Sequence, residues 1–272
     1  MIKLSIITIN YNNEKGLKDT FESIFNQTYK DYEYLVIDGK SNDGSQSLVE
    51  KYKNQIDYWV SENDNGVYHA MNKGIRKAQG EFLLFLNSGD ILSETKTLEQ
   101  VIPQLDSNRG IYYGDVKRKK ENRLSKRVYP DKLDFSFFYS NSLCHQSSFI
   151  KRELFERFFY YNENYKIAAD WEFFIYTICK ENVPYKHINQ VVCTYDFSGM
   201  SSQKENADVH LEERLLSIQK YFPAFNEDYK DISKLKSKRT QQLFHIKNYK
   251  LAWNILKGFM NMILLFLPKL KK

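Results

Sequence analysis

The sequence is short of cysteine, glycine and proline, has no acidic residue in its last 41 positions, and has no uninterrupted apolar run of bilayer length. Each shortage excludes a class of protein. The three cysteines, Cys144, Cys179 and Cys193, form no CxxC pair and no His/Cys cluster at zinc spacing. Zinc fingers and disulfide-built secreted scaffolds are thereby excluded, and an odd count fits a reduced, cytosolic setting. Eleven glycines and five prolines are too few for a collagen-like or low-complexity chain. Met1-Ile2-Lys3-Leu4 leads into apolar residues that Thr8 and Asn10 interrupt. With no basic n-region and no small-residue cleavage site, no secretory signal is expected.

What is present is a chain of 272 residues with 42% hydrophobic content, enough for one large domain with a smaller appendage. The net charge of +6 is unevenly spread. Ten Lys and Arg lie between Ile232 and Lys272, so the first 231 residues carry 30 basic and 34 acidic groups, a net of −4. A mildly acidic body precedes a strongly basic tail.

The first half alternates short apolar runs with amphipathic stretches. Leu4–Ile9 reads as a buried β-branched strand, and Glu14–Thr28 as a helix with Leu17, Phe21, Ile24 and Phe25 on one face. Strands are expected at 34–37, 58–60 and 82–86, and helices at 45–52, 67–78 and 97–105. Further on, 143–150 reads as a strand, and 152–158, 169–179 and 211–221 as helices, the last closed by Pro223. Lys117–Lys120 reads first as a solvated loop or hairpin turn, and second as a substrate edge. The alternation predicts an α/β fold with a mostly parallel sheet covered by helices on both faces.

Ligands of such sheets bind beyond the carboxyl ends of the strands. Three of those ends are polar here: Thr8-Ile9-Asn10, Asp38, and Asn87-Ser88-Gly89-Asp90. Asp38 alone is a weak signal, since the loop after it also reads as a cap at Asp43 or Ser45. Asp64 is expected to cap a helix whose positive end suits a phosphate, with Asn72 and Lys73 two turns on; an ordinary capped helix is the alternative. Asp90 offers an oxygen ligand to Mg²⁺ or Mn²⁺, against the alternative of a plain turn. Asp170 stands at a helix start in apolar surroundings, as a general base, an N-cap or both. His145-Gln146 is either structural or catalytic.

Taken together, these segments resemble the family 2 glycosyltransferases of GT-A nucleotide-sugar-binding fold. The resemblance runs through Ser5–Asn12, Val36-Ile37-Asp38 with Ser41, Asp43 and Gly44, Asp64–Tyr68, Ala70–Gly74, Gly80-Glu81 and Phe85–Asp90. It resumes at His145-Gln146, Ala169–Glu172 and Gly199-Met200-Ser201, and covers about residues 1 to 220. By position it implies that Thr8, Asn10 and Asp38 hold the uridine of a UDP-sugar, that Asp64, Asn72 and Lys73 line its sugar and diphosphate, and that Asp90 ligates Mn²⁺ or Mg²⁺. It implies Asp170 as the base of an inverting single displacement, with His145, Gln146, Trp171 and Ser201 near the diphosphate or acceptor. His69 stands where the family commonly has an acid. Asn87 and Gly89 replace acids of the usual metal motif, and Ala169 replaces a frequent Glu. A catalytically silent nucleotide-sugar-binding or scaffold protein is the rival reading.

The boundary is expected near residue 222, with a GT-A domain at 1–222 and a basic helical tail at 223–272. Ile255–Leu267 is strongly apolar, but too short and too interrupted, at Lys257 and Asn261, to span a bilayer. Flanking lysines fit an in-plane helix on anionic lipid, with docking on the core or a homodimer partner as the alternative. No nucleic-acid recognition motif accompanies the basic stretch, so nucleic acid is not an expected partner. The expected setting is cytoplasmic and peripheral on the inner face of the cell membrane. A lipid-linked acceptor in O-antigen, capsule or exopolysaccharide synthesis follows from it.

Overall fold

Every residue of strand β1 (Leu4–Asn10) is buried. A strand can be apolar and inaccessible on both faces only if it has neighbours on both edges and a layer above and below. The computed structural model, which describes residues 2–120, 123–196, 204–226, 235 and 237–268, supplies both. After β1 come α1 (Glu14–Phe25), β2 (Glu33–Asp38), α2 (Ser45–Tyr52), β3 (Tyr58–Ser61), α3 (Val67–Lys77) and β4 (Phe82–Phe85). These four strands pair in parallel in the order β3-β2-β1-β4, joined by helical crossovers.

The second half extends the sheet. It comprises β5 (Ile91–Leu92), α4 (Thr97–Val101), β6 (Ile111–Lys120), β7 (Arg123–Arg127), α5 (Phe135–Ser140), β8 (Ser148–Lys151), α6 (Glu153–Arg157), α7 (Ala169–Ile175) and β9 (Tyr185–Asp196). β8 joins β4 antiparallel, β6 follows β8, and β9 runs parallel to β6 with β5 outside it. Six of the nine strands therefore point the same way, as expected of a mostly parallel sheet. The chain divides into two compact units, Met1–Ser217 and Ile218–Lys272. Helix α8 (Ala207–Tyr221) carries the last residues of the first, and the second contains α9 (Lys238–Lys247) and α10 (Lys250–Leu264).

The core forms where the periodicity puts it. Leu17, Phe21 and Ile24 of α1 are fully buried, and Phe21 and Phe25 pack against Tyr34 and Tyr52 with ring centroids 5.6–5.9 Å apart. Close backbone approach matters as much as side-chain size. A Cβ on Gly80 would lie 2.5 Å from the Ser5 amide nitrogen and 2.8 Å from the Leu4 carbonyl carbon.

Several expectations need correction. Lys117–Lys120 is strand rather than loop, because β7 and β9 take the backbone hydrogen bonds on its two edges. The strand expected over 143–150 is confined to β8, and His145–Ser147 forms a 3₁₀ turn that aims the imidazole. The helix expected over 169–179 is α-helical only to Ile175, then continues as a π turn over Tyr176–Lys180. Strand β9 escaped the sequence reading because register shifts opposite Gly114–Val116 break its period of two.

The close approach at Gly80 makes a direct test. Gly80→Ala forces backbone apart at the start of β1, and is expected to lower stability by about 2 kcal/mol, read from the urea unfolding midpoint.

Candidate active site

At the carboxyl end of the parallel block, Asp38 is fully buried. Its carboxylate accepts from Asn10 Nδ2 (2.7 Å), Ser41 Oγ (2.6 Å), the Ser41 amide (2.9 Å) and Ser61 Oγ (2.6 Å). Those donors come from the ends of β1 and β3 and from the loop that follows β2, so one carboxylate at the end of β2 ties three strand ends together. Four donors match the four lone-pair sites of an ionised carboxylate, the condition for keeping it away from water. The Ser41 hydroxyl accepts in turn from Asn10 Nδ2 and the Asn12 amide. The Oδ1 atom of Asn10 is buried with no hydrogen-bond partner.

The next strand end is fixed from below by α1. Asn13 Nδ2 donates to the Ser88 carbonyl (2.9 Å). Thr20 Oγ1 donates to the Asp90 carbonyl (2.8 Å) and accepts from the Gly89 amide (3.0 Å). Gly89 has φ +102°, a left-handed conformation that a side chain strains, so an acid at this position is disfavoured by the turn itself. Asp90 is 6% exposed. In the same turn Asn87 Oδ1 is buried without a hydrogen-bond partner. Among the described residues no group of three or more His, Cys, Asp or Glu is placed to hold a metal. The local donors are thus two hard oxygens, which fit Mg²⁺ or Mn²⁺ only when a diphosphate supplies further ligands.

Asp170, in the first turn of α7, joins this rim through His145. His145 Nδ1 lies 2.9 Å from Asp170 Oδ2, and its Nε2 lies 3.4 Å from Asn87 Nδ2. The other Asp170 oxygen accepts from the Trp171 amide (2.8 Å) and faces the Tyr68 hydroxyl (3.2 Å), which is itself 2.5 Å from the Ile167 carbonyl. Burial pushes the Asp170 carboxyl up, but His145 and these donors outweigh it and hold it below its ordinary value. Burial pulls the His145 imidazole down, and the Asp170 carboxylate outweighs that, raising it above 6.5, with Asp90 adding to the effect. A neutral ring donates from Nδ1 and accepts at Nε2.

The structure thus places two hydrogen-bonded clusters at the strand ends, one of Asn10, Asp38, Ser41 and Ser61 and one running from Asn87, in the turn that bears Asp90, through His145 to Asp170. Other expected residues take supporting places. Asp64 does not cap α3, whose N-cap is Gly66. It is 2.6 Å from Lys73 Nζ and 3.3 Å from His69 Nδ1, and a Cβ on Gly39 would meet its Oδ2 at 3.2 Å. Lys73 is shared between Asp64 and Glu62. The Asn72 carboxamide is engaged by the Tyr161 backbone and by Glu163. The Thr8 hydroxyl turns into the core against Tyr34. The Gln146 carboxamide accepts from Cys144 Sγ. Trp171 is buried, its Nε1 donating to the carbonyls of Phe138 and Asn141. Gly199, Met200 and Ser201 lie outside the described residues.

Sequence reasoning missed three contributors. Glu213 of α8 is buried and accepts from the amides of Lys166, Ile167 and Ala168, fixing the turn that presents Asp170. Tyr68 and Ser61 complete the hydrogen bonding of Asp170 and Asp38. None carries a local signal, because each acts on a residue at least 23 positions away.

Comparison with known proteins follows the same lines. A model of the glycosyl transferase family 2 matches residues 5–168. A PGL/p-HBAD biosynthesis glycosyltransferase of Mycobacterium bovis is 31% identical over 205 residues, covering 73% of this chain and 78% of that protein. Among solved structures, Staphylococcus aureus TarS 1–349 in complex with UDP-GlcNAc superposes with a TM-score of 0.63 at 21% identity, over 81% of this chain and 67% of that one. The mannosyltransferase PcManGT from Pyrobaculum calidifontis, in complex with GDP-Man and Mn²⁺, gives 0.56 at 16%, over 93% and 86%.

The His145–Asp170 pair predicts a pH dependence. A depressed Asp170 contributes stability that is present above its unfolded value near 3.8 and is lost as pH falls through the folded one. A raised His145 contributes stability fully present below 6.5 and lost as pH rises through its folded value. His145→Asn should therefore cost about 2 kcal/mol at pH 5 and markedly less at pH 9, measured by urea unfolding.

Proposed function

Because the chain belongs to glycosyl transferase family 2, we propose that it moves a hexose from a UDP-sugar, UDP-glucose or UDP-galactose, to a hydroxyl of a lipid-linked glycan. The acceptor is an undecaprenyl-diphosphate oligosaccharide of O-antigen, capsule or exopolysaccharide synthesis. The observation that carries the reading is the Asp170 carboxylate, held on one continuous rim with His145 and the strand end bearing Asp90. UDP-GlcNAc bound to TarS supports a UDP-sugar donor.

In this reading Asn10 Oδ1, the orphaned acceptor at the end of β1, receives the uracil N–H, while Asp38 keeps the three strand ends in register. Asp64, Asn72 and Lys73 support the donor side through the loops that they tie down. Asp170 accepts the proton of the acceptor hydroxyl as that oxygen attacks the anomeric carbon. The bond from that carbon to the diphosphate breaks on the opposite face, giving inversion and free UDP. His145 holds the carboxylate ionised and aimed. Asp90 and the Asn87 carboxamide are the residues that would hold Mg²⁺ or Mn²⁺, which when bound compensates charge on the departing diphosphate. PcManGT with GDP-Man and Mn²⁺ supports a cation in this fold.

The catalytic domain at 1–222 is followed in this reading by a tail at 223–272 that lies in the membrane interface. In α10, Leu251, Ile255, Phe259 and Met262 recur at helical spacing, and each is more than half exposed. Among the described residues no helix is long and apolar enough to cross a membrane. An exposed apolar stripe in a tail without acids suits anionic lipid, and holds the enzyme peripherally on the inner face beside a lipid-linked acceptor.

Asp170→Asn is expected to reduce UDP release in the presence of acceptor by about 10³-fold while leaving UDP-sugar binding nearly unchanged. Retained turnover would remove the base. Asp90→Ala should weaken UDP binding in Mn²⁺ but not in its absence, read by calorimetry. Full-length protein with Ile255→Asp and Phe259→Asp should no longer float with phosphatidylglycerol vesicles that carry the wild type.

A further inference from the structure

Two arginines converge beside the catalytic rim without a carboxylate between them. Arg127, at the end of β7, donates from Nη2 to Asn141 Oδ1 (3.2 Å) and to the Ser142 carbonyl (3.2 Å). Arg214, on α8, donates from Nη2 to the Asn141 carbonyl (3.3 Å), the same oxygen that accepts from Trp171 Nε1 at 3.0 Å. Its guanidinium lies over the Trp171 ring, 4.7 Å from the centroid, and its Nε is buried without a hydrogen-bond partner. Arg76 and Arg152 pair with the acids Glu163 and Glu156, whereas among the described residues neither Arg127 nor Arg214 forms an ion pair, and what sets these two apart is that both donate to the same residue, Asn141. Neutral oxygens of Asn141 and Ser142 hold two like charges near one another with no acid in direct contact, an arrangement that leaves room for an anion to bind both.

The electrostatics agree with the geometry. Arg214 is pushed down to about 10 by burial, which outweighs the opposing charge of Asp170, and the like charge of Arg127 adds a smaller push in the same direction as burial. One turn earlier on α8, His210 is held below its ordinary value by burial and by Arg214. Converging guanidiniums of fixed geometry are the side chains best suited to a phosphoryl group, which offers several oxygens to bidentate donors.

We propose that Arg127 and Arg214 form a phosphate subsite for the acceptor, next to the base Asp170. The proposal rests on the glycosyl-transfer reading and deepens it. Trp171 follows Asp170 directly and carries Arg214 on its ring, so only a short saccharide separates the acceptor phosphate from the hydroxyl that is glycosylated. A reaction that places a sugar on a lipid through a phosphate linkage must then supply the substrate.

The test uses the full chain saturated with UDP, so that the donor diphosphate site is filled, and titrates inorganic phosphate at constant ionic strength by calorimetry. Arg127→Gln and Arg214→Gln are each expected to weaken phosphate binding at least about tenfold, and the double variant to abolish it. Arg214→Lys, which keeps the charge, should recover part of the affinity. Arg152→Gln, remote and paired, should leave it unchanged, as should all variants the affinity for UDP. Phosphate binding that survives the double substitution, or UDP affinity that falls in parallel with it, would overturn the subsite. In transfer assays the two Gln variants should raise KM for a short sugar-phosphate acceptor without raising it for an uncharged alkyl glycoside. Absence of transfer to every acceptor counts against the enzyme reading alone, because the phosphate titration remains readable.

Discussion

The burial of one carboxylate organises this molecule. Asp38 is inaccessible to solvent, and an ionised group can remain so only while each lone pair has a donor. Asn10 at the end of β1, Ser41 in the loop after β2 and Ser61 at the end of β3 supply those donors, so the three strand ends cannot slip past one another without exposing an unpaired charge. The parallel register and the position of the rim are consequences of the same constraint.

A second hydrogen-bonded chain runs along the neighbouring strand ends. Asn13, the N-cap of α1, and Thr20 within it lock the turn at 87–90, Asn87 meets His145, and His145 meets Asp170. Glu213 then fixes the turn in front of Asp170 through three backbone amides. Each group is held by another whose own partners are fixed, which is how a rim assembled from distant segments keeps its geometry. Membership of glycosyl transferase family 2 is consistent with this plan, since residues 5–168 of the match span the rim from β1 to the turn in front of Asp170.

Charge is distributed with the same economy. Asp170 and His145 stabilise each other's ionised forms, and Lys73 is absorbed by Asp64 and Glu62. Arg127 and Arg214, by contrast with Lys73, are positive groups held by carbonyls and an aromatic face. The second unit carries the apolar stripe of α10 in a stretch without acids.

The alternation of apolar runs and amphipathic stretches already determined the parallel half of the fold, because strands buried on both faces and helices with one apolar face are local patterns. The polar strand ends at Asn10, Asp38 and Asn87–Asp90, together with the Asp170 and His145 segments, were legible for the same reason and carried the family resemblance. Partners were not. That Asn72 supports a loop, that Asp64 binds Lys73 instead of capping α3, that Lys117–Lys120 is strand, and that Glu213 and Arg214 reach the Asp170 turn were settled only by tertiary structure. Periodicity records whether a side chain faces the core. It holds no information about which distant backbone will pass within hydrogen-bond distance, and that distance fixes what a polar side chain does.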